Sequence, residues 1–253
     1  MKDTGGFFGS EYLESEGHLI SDKQTKKEVD FLSGFINNPK SGILELCCGH
    51  GRVANELFKR GFLHYTGVDS SSEAISYAKS NITGQSFILS DIVNDDLGKK
   101  YNLIFALYNS MAYWGQDTTA GILKKVERSL DNNGYFVFDV IPHRSIVNLI
   151  GIYKIPLIKT LIRVLGYRNA FLGKVWATDV WDSDGEIAYI NRTYLRGASV
   201  LARATQEIYI RTNEQWSALI YHAGLSIEAK TVLNTRLVYV CRKPGHRLKT
   251  VAK

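Results

Sequence analysis

Apolar spacing divides the chain before any chemistry is considered. In residues 21–37, Val29, Leu32 and Ile36 recur on one helical face, with Phe31 and Phe35 beside them. Ser21 and Gln24 stand three apart at its start, the spacing of a capping box, so this segment reads as a helix packed at a sheet edge. Short apolar runs then alternate with helical patterns. ILELC (43–47), HYTGVD (64–69), SFILSD (86–91), YNLIFALYN (101–109) and YFVFDVI (135–141) read as buried strands. RVANELFKRG (52–61), SEAISYAKSN (72–81) and GILKKVERSL (121–130) read as the helices between them, with a turn at Asn132-Asn133-Gly134. Such alternation predicts a parallel α/β sheet.

The rhythm breaks after residue 141. Residues 142–173 are apolar and basic. Leu157, Leu161, Ile162 and Leu165 form a stripe at helical spacing, and Pro156 predicts two short helices rather than one. Next come KVWATDVW, EIAYINRTYL and VLARATQEIYI, separated by DSDG and RGAS, which read as an antiparallel meander. NEQWSALIYHAGL (213–225) returns to helix, with Asn213 as its expected cap. SIEAKTVL and RLVYVCRK are joined by Asn234-Thr235, too short for a parallel crossover, so they must pair antiparallel. The divisions fall at 1–141 (N-terminal cap and α/β core), 142–212 (lid and meander insertion), 213–242 (return to the core) and 243–253 (basic tail).

Composition narrows the class. With 253 residues and 45% apolar content, the chain affords a large core. Its cysteines are Cys47, Cys48 and Cys241, too few and too oddly numbered for a disulfide framework. The first residues contain no apolar leader, and no apolar run is long enough to span a membrane, so a cytoplasmic location is the expectation. The net charge of +6 is unevenly placed. No carboxylate lies between Asp139 and Asp179, a gap that holds Arg144, Lys154, Lys159, Arg163, Arg168 and Lys174. Neither this cluster nor the tail is interleaved with a nucleic-acid motif, so no nucleic-acid partner is expected.

The candidate chemistry begins in ILELCCGHGRVANEL (43–57), where a buried strand ends in a glycine-broken turn before a helix. A ligand approaching the backbone closely explains such a turn. Gly49, Gly51 and Ala54 fit a dinucleotide fingerprint; Glu45, Cys47, Gly49 and Gly51 fit a second pattern that implies a different cofactor. The closing antiparallel hairpin argues against a nicotinamide domain. ILELCCGHGR, TGVDSSSEAISYAKS, FILSDIV, LIFALYNSMAYW and DNNGYFVFDVI, in this order, resemble the class I S-adenosylmethionine-dependent methyltransferases. FFGSEYLE and WSALIYHAGL with the meander resemble a bacterial small-molecule branch that includes amino-sugar and antibiotic N-methyltransferases.

The resemblance implies an α/β fold: a Rossmann-like parallel sheet closed by an antiparallel C-terminal hairpin, with an antiparallel β-meander insertion. It implies S-adenosylmethionine as cofactor. Glu45 would receive its ammonium, and the turn from Cys47 through Gly49 to Gly51 would admit its tail and ribose. Asp69, followed by Ser70, would accept the ribose hydroxyls, and Asp91 with the Ile92 amide would meet the adenine. Leu107 would touch the methionine moiety and Arg52 its carboxylate. Cys47 stands where the pattern has its first glycine. As catalytic candidates, Asn109 would lie near the sulfonium, Tyr12 in the lid, and His143 at the carboxyl rim as a general base. His18 and His222 rank below it, His50 is expected merely exposed, and Cys47 and Cys48 are expected to pack. Tyr113 and Trp114 are candidate walls of an acceptor pocket or else core. No H-E-x-x-H or comparable metal set is present.

The expected reaction is methyl transfer to N or O of a small polar metabolite. The alternatives are an NAD(P)-dependent oxidoreductase and a non-catalytic cofactor-binding module. Residues 142–173 are a lid or oligomer contact, or a contact with an anionic substrate or membrane surface.

Overall fold

The computed structural model describes residues 8–16, 20–36, 38–158, 160–161 and 175–244. Its main body is a seven-stranded sheet. Chain order gives α1 (Ser10–Glu16), α2 (Asp22–Ser33), β1 (Ile43–Leu46), α3 (Arg52–Lys59), β2 (Tyr65–Asp69), α4 (Ser72–Asn81), β3 (Ser86–Leu89) and β4 (Tyr101–Ala106). A 3₁₀ turn (Ser110–Ala112), α5 (Gln116–Ser129), β5 (Leu130–Val140) and α6 (His143–Tyr153) complete the first half. Strands β6 (Trp176–Ser183), β7 (Ile187–Arg196) and β8 (Ser199–Tyr209) form a separate antiparallel sheet. Then α7 (Asn213–His222), β9 (Ser226–Leu233) and β10 (Arg236–Arg242) return to the main sheet.

The sheet order is β3-β2-β1-β4-β5-β10-β9. β1 to β5 pair in parallel, and β10 runs antiparallel to both β5 and β9. The central strands are apolar on both faces, as a sheet covered on both sides requires. Leu44, Leu46, Ile104, Phe136 and Phe138 face α5 and α7 through Ile122, Val126, Trp216 and Ile220. Ile43, Leu103, Phe105, Val137 and Val238 face α2 and α3 through Val29, Leu32, Val53 and Leu57. Thus α2 lies on a sheet face, not at the edge. The position differs from the expected edge because Val29 and Leu32 are fully buried in one cluster with Leu103, Phe105 and Val137 of the central strands.

Local chemistry explains the remaining boundaries. Ser21 and Gln24 form the expected capping box at α2. At α7 the cap is Thr212, not Asn213: its hydroxyl accepts from the Gln215 amide, and the Gln215 side chain accepts from the Thr212 amide. α5 begins at Gln116, ahead of the expected 121, because Gly115 starts a polar first turn without apolar periodicity. Asn132-Asn133-Gly134 is no free turn. Tyr101 pairs with Leu130 and Leu103 with Tyr135, so the intervening residues bulge out of a continuous β5. After α6 the helical backbone stops and resumes at Pro156, as the proline predicts. Lys159, Arg163 and His18 lie outside the described residues. No helix among the described residues is long and apolar enough to cross a membrane.

The β9–β10 turn carries strain. Asn234 and Thr235 have φ of 49° and 68°, the left-handed pair that a two-residue hairpin demands. Asparagine tolerates this region; β-branched threonine does not. Thr235 is exposed, so Thr235→Gly should stabilise the fold by roughly 0.5–1 kcal/mol, the relieved strain less the entropy glycine adds to the unfolded chain. Denaturant unfolding giving an unchanged or lower midpoint would show that the turn is not strained.

Candidate active site

One cavity of about 890 Å³ opens at the carboxyl ends of β1, β2 and β4, beneath the meander. Parallel sheets bind ligands at this edge because the strand order reverses between β1 and β4. The cavity floor is the β1–α3 turn. Cys47, Gly49 and Gly51 all have positive φ, at 56°, 53° and 80°. A Cβ on Gly49 would meet nothing within 4 Å, so this backbone faces open space. A Cβ on Gly51 would lie 2.6 Å from Ile82 Cδ1 and 2.9 Å from the Phe87 ring, so Gly51 lets the turn close onto α4 and β3 instead.

Two carboxyl groups stand at the strand ends. Asp69 Oδ2 accepts from the Gly49 amide at 2.8 Å, and Oδ1 accepts from the Ser71 amide at 2.9 Å. Burial raises its pKa, opposed by these amides and that of Ser70. Glu45 is 5% exposed, and the Tyr65 hydroxyl donates to its Oε2 at 2.5 Å. Burial pushes Glu45 up to about 8, against the Tyr65 hydrogen bond and the Arg52 charge. Arg52 also lines the cavity, but it is already engaged: Nη1 meets Glu28 Oε2 at 2.6 Å and donates to Thr25 Oγ1 at 2.7 Å. Asn234 holds the other oxygen of Glu28 at 3.2 Å, so the terminal hairpin braces this arginine through α2.

The cavity gathers Glu45, Cys47, Gly49, Arg52, Asp69, Ser70, Leu107 and Tyr12. It leaves out others. Asp91 and Ile92 do not line it: Asp91 caps its own turn, accepting from the Val93 amide and the Asn94 side chain. Asn109 is also outside the lining. Its amide donates to Asp139 at 2.7 Å and its Oδ1 accepts from the Ile141 amide at 2.8 Å, so it stitches the ends of β4 and β5 together. His143 begins α6, faces the charge of Glu214 and does not reach the cavity. His50, expected exposed, lies partly buried in the lining beside Tyr77, and burial lowers its pKa. Cys47 and Cys48 pack as expected, with burial raising both thiols. Among the described residues no three metal-ligating side chains converge.

Tyr113 and Trp114 join the lining, with Phe8 5.8 Å from Tyr113 and 5.1 Å from Tyr12. Arg211 fixes this wall: Nη2 donates to the Trp114 carbonyl at 2.6 Å, and the guanidinium lies 4.9 Å from the Trp216 ring. The meander forms the opposite wall, which sequence reasoning missed residue by residue. On β7 the buried face reads Ala188, Ile190, Arg192, Tyr194; on β8 it includes Ala204, Gln206, Ile208. Each buried face has a polar breach at the cavity. Arg192 is held by Asp179, its cross-strand partner, through two 2.7 Å bonds. Gln206 is 3% exposed and donates from Nε2 to the Glu207 carbonyl at 2.8 Å. That bond fixes the amide orientation; Oε1, shielded from solvent, meets no donor among the described residues.

The floor suits S-adenosylmethionine: an open glycine backbone, a carboxylate braced by two amides and a second, buried carboxyl fit a polar tail, a ribose diol and an ammonium. Comparisons with known proteins agree. Residues 43–134 match the family described as "Methyltransferase domain". A putative methyltransferase 235L of Invertebrate iridescent virus 6 is 29% identical over 91 residues, 35% of this chain and 34% of that protein, so the match spans about a third of the viral relative. A S-adenosylmethionine-dependent methyltransferase from Clostridium acetobutylicum ATCC 824 superposes with a TM-score of 0.71 at 17% identity, over 92% of this chain and 96% of that one. The CcbJ methyltransferase from Streptomyces caelestis gives 0.71 at 16% identity, covering 96% and 100% of the two chains. The sugar N-methyltransferase KedS8 from Streptoalloteichus sp ATCC 53650 gives 0.68 at 17%, covering 90% and 91%. At such identities the likeness is one of fold, and it extends beyond the core to the inserted meander. Sheet order, glycine turn and matched domain together identify the chain as carrying the class I S-adenosylmethionine-dependent methyltransferase fold.

Proposed function

We propose that the protein uses S-adenosylmethionine to methylate an amine of a small polar metabolite. The observation that carries this reading is the continuity of one cavity from Glu45, Gly49 and Asp69 to the meander wall at Arg192 and Gln206. A cofactor floor and a separate polar wall share one cavity. The similar folds include a sugar N-methyltransferase, which supports an amine acceptor.

When bound, the cofactor supplies a methyl group on a cationic sulfur, which needs no further activation. The chain's task is then to align the acceptor and exclude water. Tyr12, Tyr113 and Trp114 supply apolar surface that displaces water. An amine needs only to arrive neutral, whereas a hydroxyl needs a base. Among the described lining residues the one histidine is His50, on the cofactor turn, while Glu207 is the carboxylate on the meander side; the amine reading therefore rests on the likeness to a sugar N-methyltransferase. Gln206 Oε1 is suited to accept a hydrogen bond from the acceptor.

Incubation with S-adenosylmethionine and a panel of amine- and hydroxyl-bearing metabolites should yield S-adenosylhomocysteine. Gln206→Leu should raise the acceptor KM about tenfold, within the 1–3 kcal/mol scale of a lost buried hydrogen bond, and leave cofactor affinity unchanged. Methyl transfer to protein or tRNA, with none to any metabolite, would sink the reading. An unchanged acceptor KM would remove Gln206 from the acceptor site.

A further inference from the structure

A run of exposed apolar side chains lies outside the cavity lining, on α6 and the helical segment after it. α6 is anchored by Ile146 and Ile150, both buried in the main core, and packs against β6. Its opposite side presents Val147 at 48% exposure and Ile152 at 44%. Further along the chain Ile155, Leu157 and Leu161 are exposed at 48%, 77% and 54%. Five large aliphatic side chains thus face solvent within fifteen residues, an arrangement too dense for scattered surface apolarity.

Charge identifies what would cover them. From residue 140 to 178 the sequence contains no Asp or Glu. Arg144 and Lys154 are exposed within the described part of this stretch, and Lys159, Arg163, Arg168 and Lys174 also belong to it by sequence. A surface that pairs with a second copy of itself would bring Arg144 and Lys154 together with their own counterparts, with no carboxylate from the same stretch to offset them. An anionic bilayer supplies both requirements at once: hydrocarbon for the aliphatic side chains and negative headgroups for the cations. No described helix is long enough to span, so the segment would lie in the interface plane.

We propose that the exposed face of residues 144–158, with Thr160 and Leu161, is a docking surface for an anionic phospholipid membrane. Neither contribution suffices alone, since a modest apolar insertion and a few cations each give marginal binding. Together they give reversible, salt-sensitive attachment, with the catalytic cavity on a different part of the molecule. Because α6 connects β5 to the meander, docking would hold the enzyme at the surface through the element that leads into the acceptor wall.

Flotation of the full chain with vesicles tests this. Vesicles of phosphatidylcholine with phosphatidylglycerol should carry the protein at low salt; vesicles of phosphatidylcholine alone should not. Raising the salt should release it. Leu157→Glu should reduce the bound fraction about tenfold or more, as a buried leucine is lost and a like charge added. Arg144→Glu should reduce it roughly tenfold, since it removes one cation and adds one anion. Both positions are exposed, so thermal unfolding and S-adenosylmethionine binding should be unchanged and confirm a folded protein. No flotation of the wild-type chain at low salt would overturn the proposal, as would flotation indifferent to Leu157→Glu. Concentration-dependent self-association that Leu157→Glu abolishes, without vesicle binding, would reassign the face to a second copy.

Discussion

An Asp69→Ala variant should bind S-adenosylmethionine about 1–3 kcal/mol more weakly, roughly a ten- to hundredfold rise in Kd, while remaining folded. Asp69 ends β2, and its two oxygens hold the Gly49 and Ser71 amides at 2.8 and 2.9 Å. It therefore shapes the turn as well as offering lone pairs to a diol. Alanine removes both contributions and leaves two amides facing the cavity unpaired. Asp69→Asn is the finer probe: it keeps the size but turns an NH₂ group toward one of the amides, so it too should bind poorly. Calorimetry on the folded alanine variant with unchanged affinity would take Asp69 out of the cofactor site.

The readability of this site in the sequence was uneven, for physical reasons. Glu45, Gly49 and Asp69 were legible because a strand end, a tight turn and the next strand end lie close in the chain, so their spacing alone places them together. Leu107 followed from the same logic on β4. Asp91 has the same strand-end position, and its carboxylate also accepts from Val93 and Asn94, contacts that spacing cannot reveal. Asn109 and His143 likewise follow strands, but Asn109 is held by Asp139 and Ile141, thirty or more residues on, and His143 opens α6 outside the cavity lining. The meander wall was legible as strands and illegible as a site. Which face of β7 and β8 meets the cavity depends on how the second sheet docks. One signal was available: Arg192 and Gln206 interrupt the apolar face of otherwise alternating strands. A polar residue at a buried strand position needs a partner, and that need points to a site.

The buried carboxyl of Glu45 leads to the most specific expectation. Burial places its pKa near 8, so at pH 7 the unliganded protein holds it protonated. Meeting the cofactor's ammonium favours the carboxylate, because an adjacent cation stabilises the ionised form. Binding at pH 7 should therefore release roughly one proton per cofactor. Calorimetry in buffers of different ionisation enthalpy reads that number directly. Cofactor affinity should rise with pH toward about 8 and fall above it, where the cofactor's own α-ammonium loses its proton. Stability of the unliganded chain should move the other way. The folded pKa lies above the unfolded value of 4.5, so this group's contribution is fully present below 4.5 and is lost as pH rises through about 8. Glu45→Gln should bind cofactor more weakly, release no proton and flatten both profiles. A wild-type protein that releases no proton, with affinity independent of pH between 6 and 8, would mean that Glu45 keeps its charge state on binding and does not meet the ammonium.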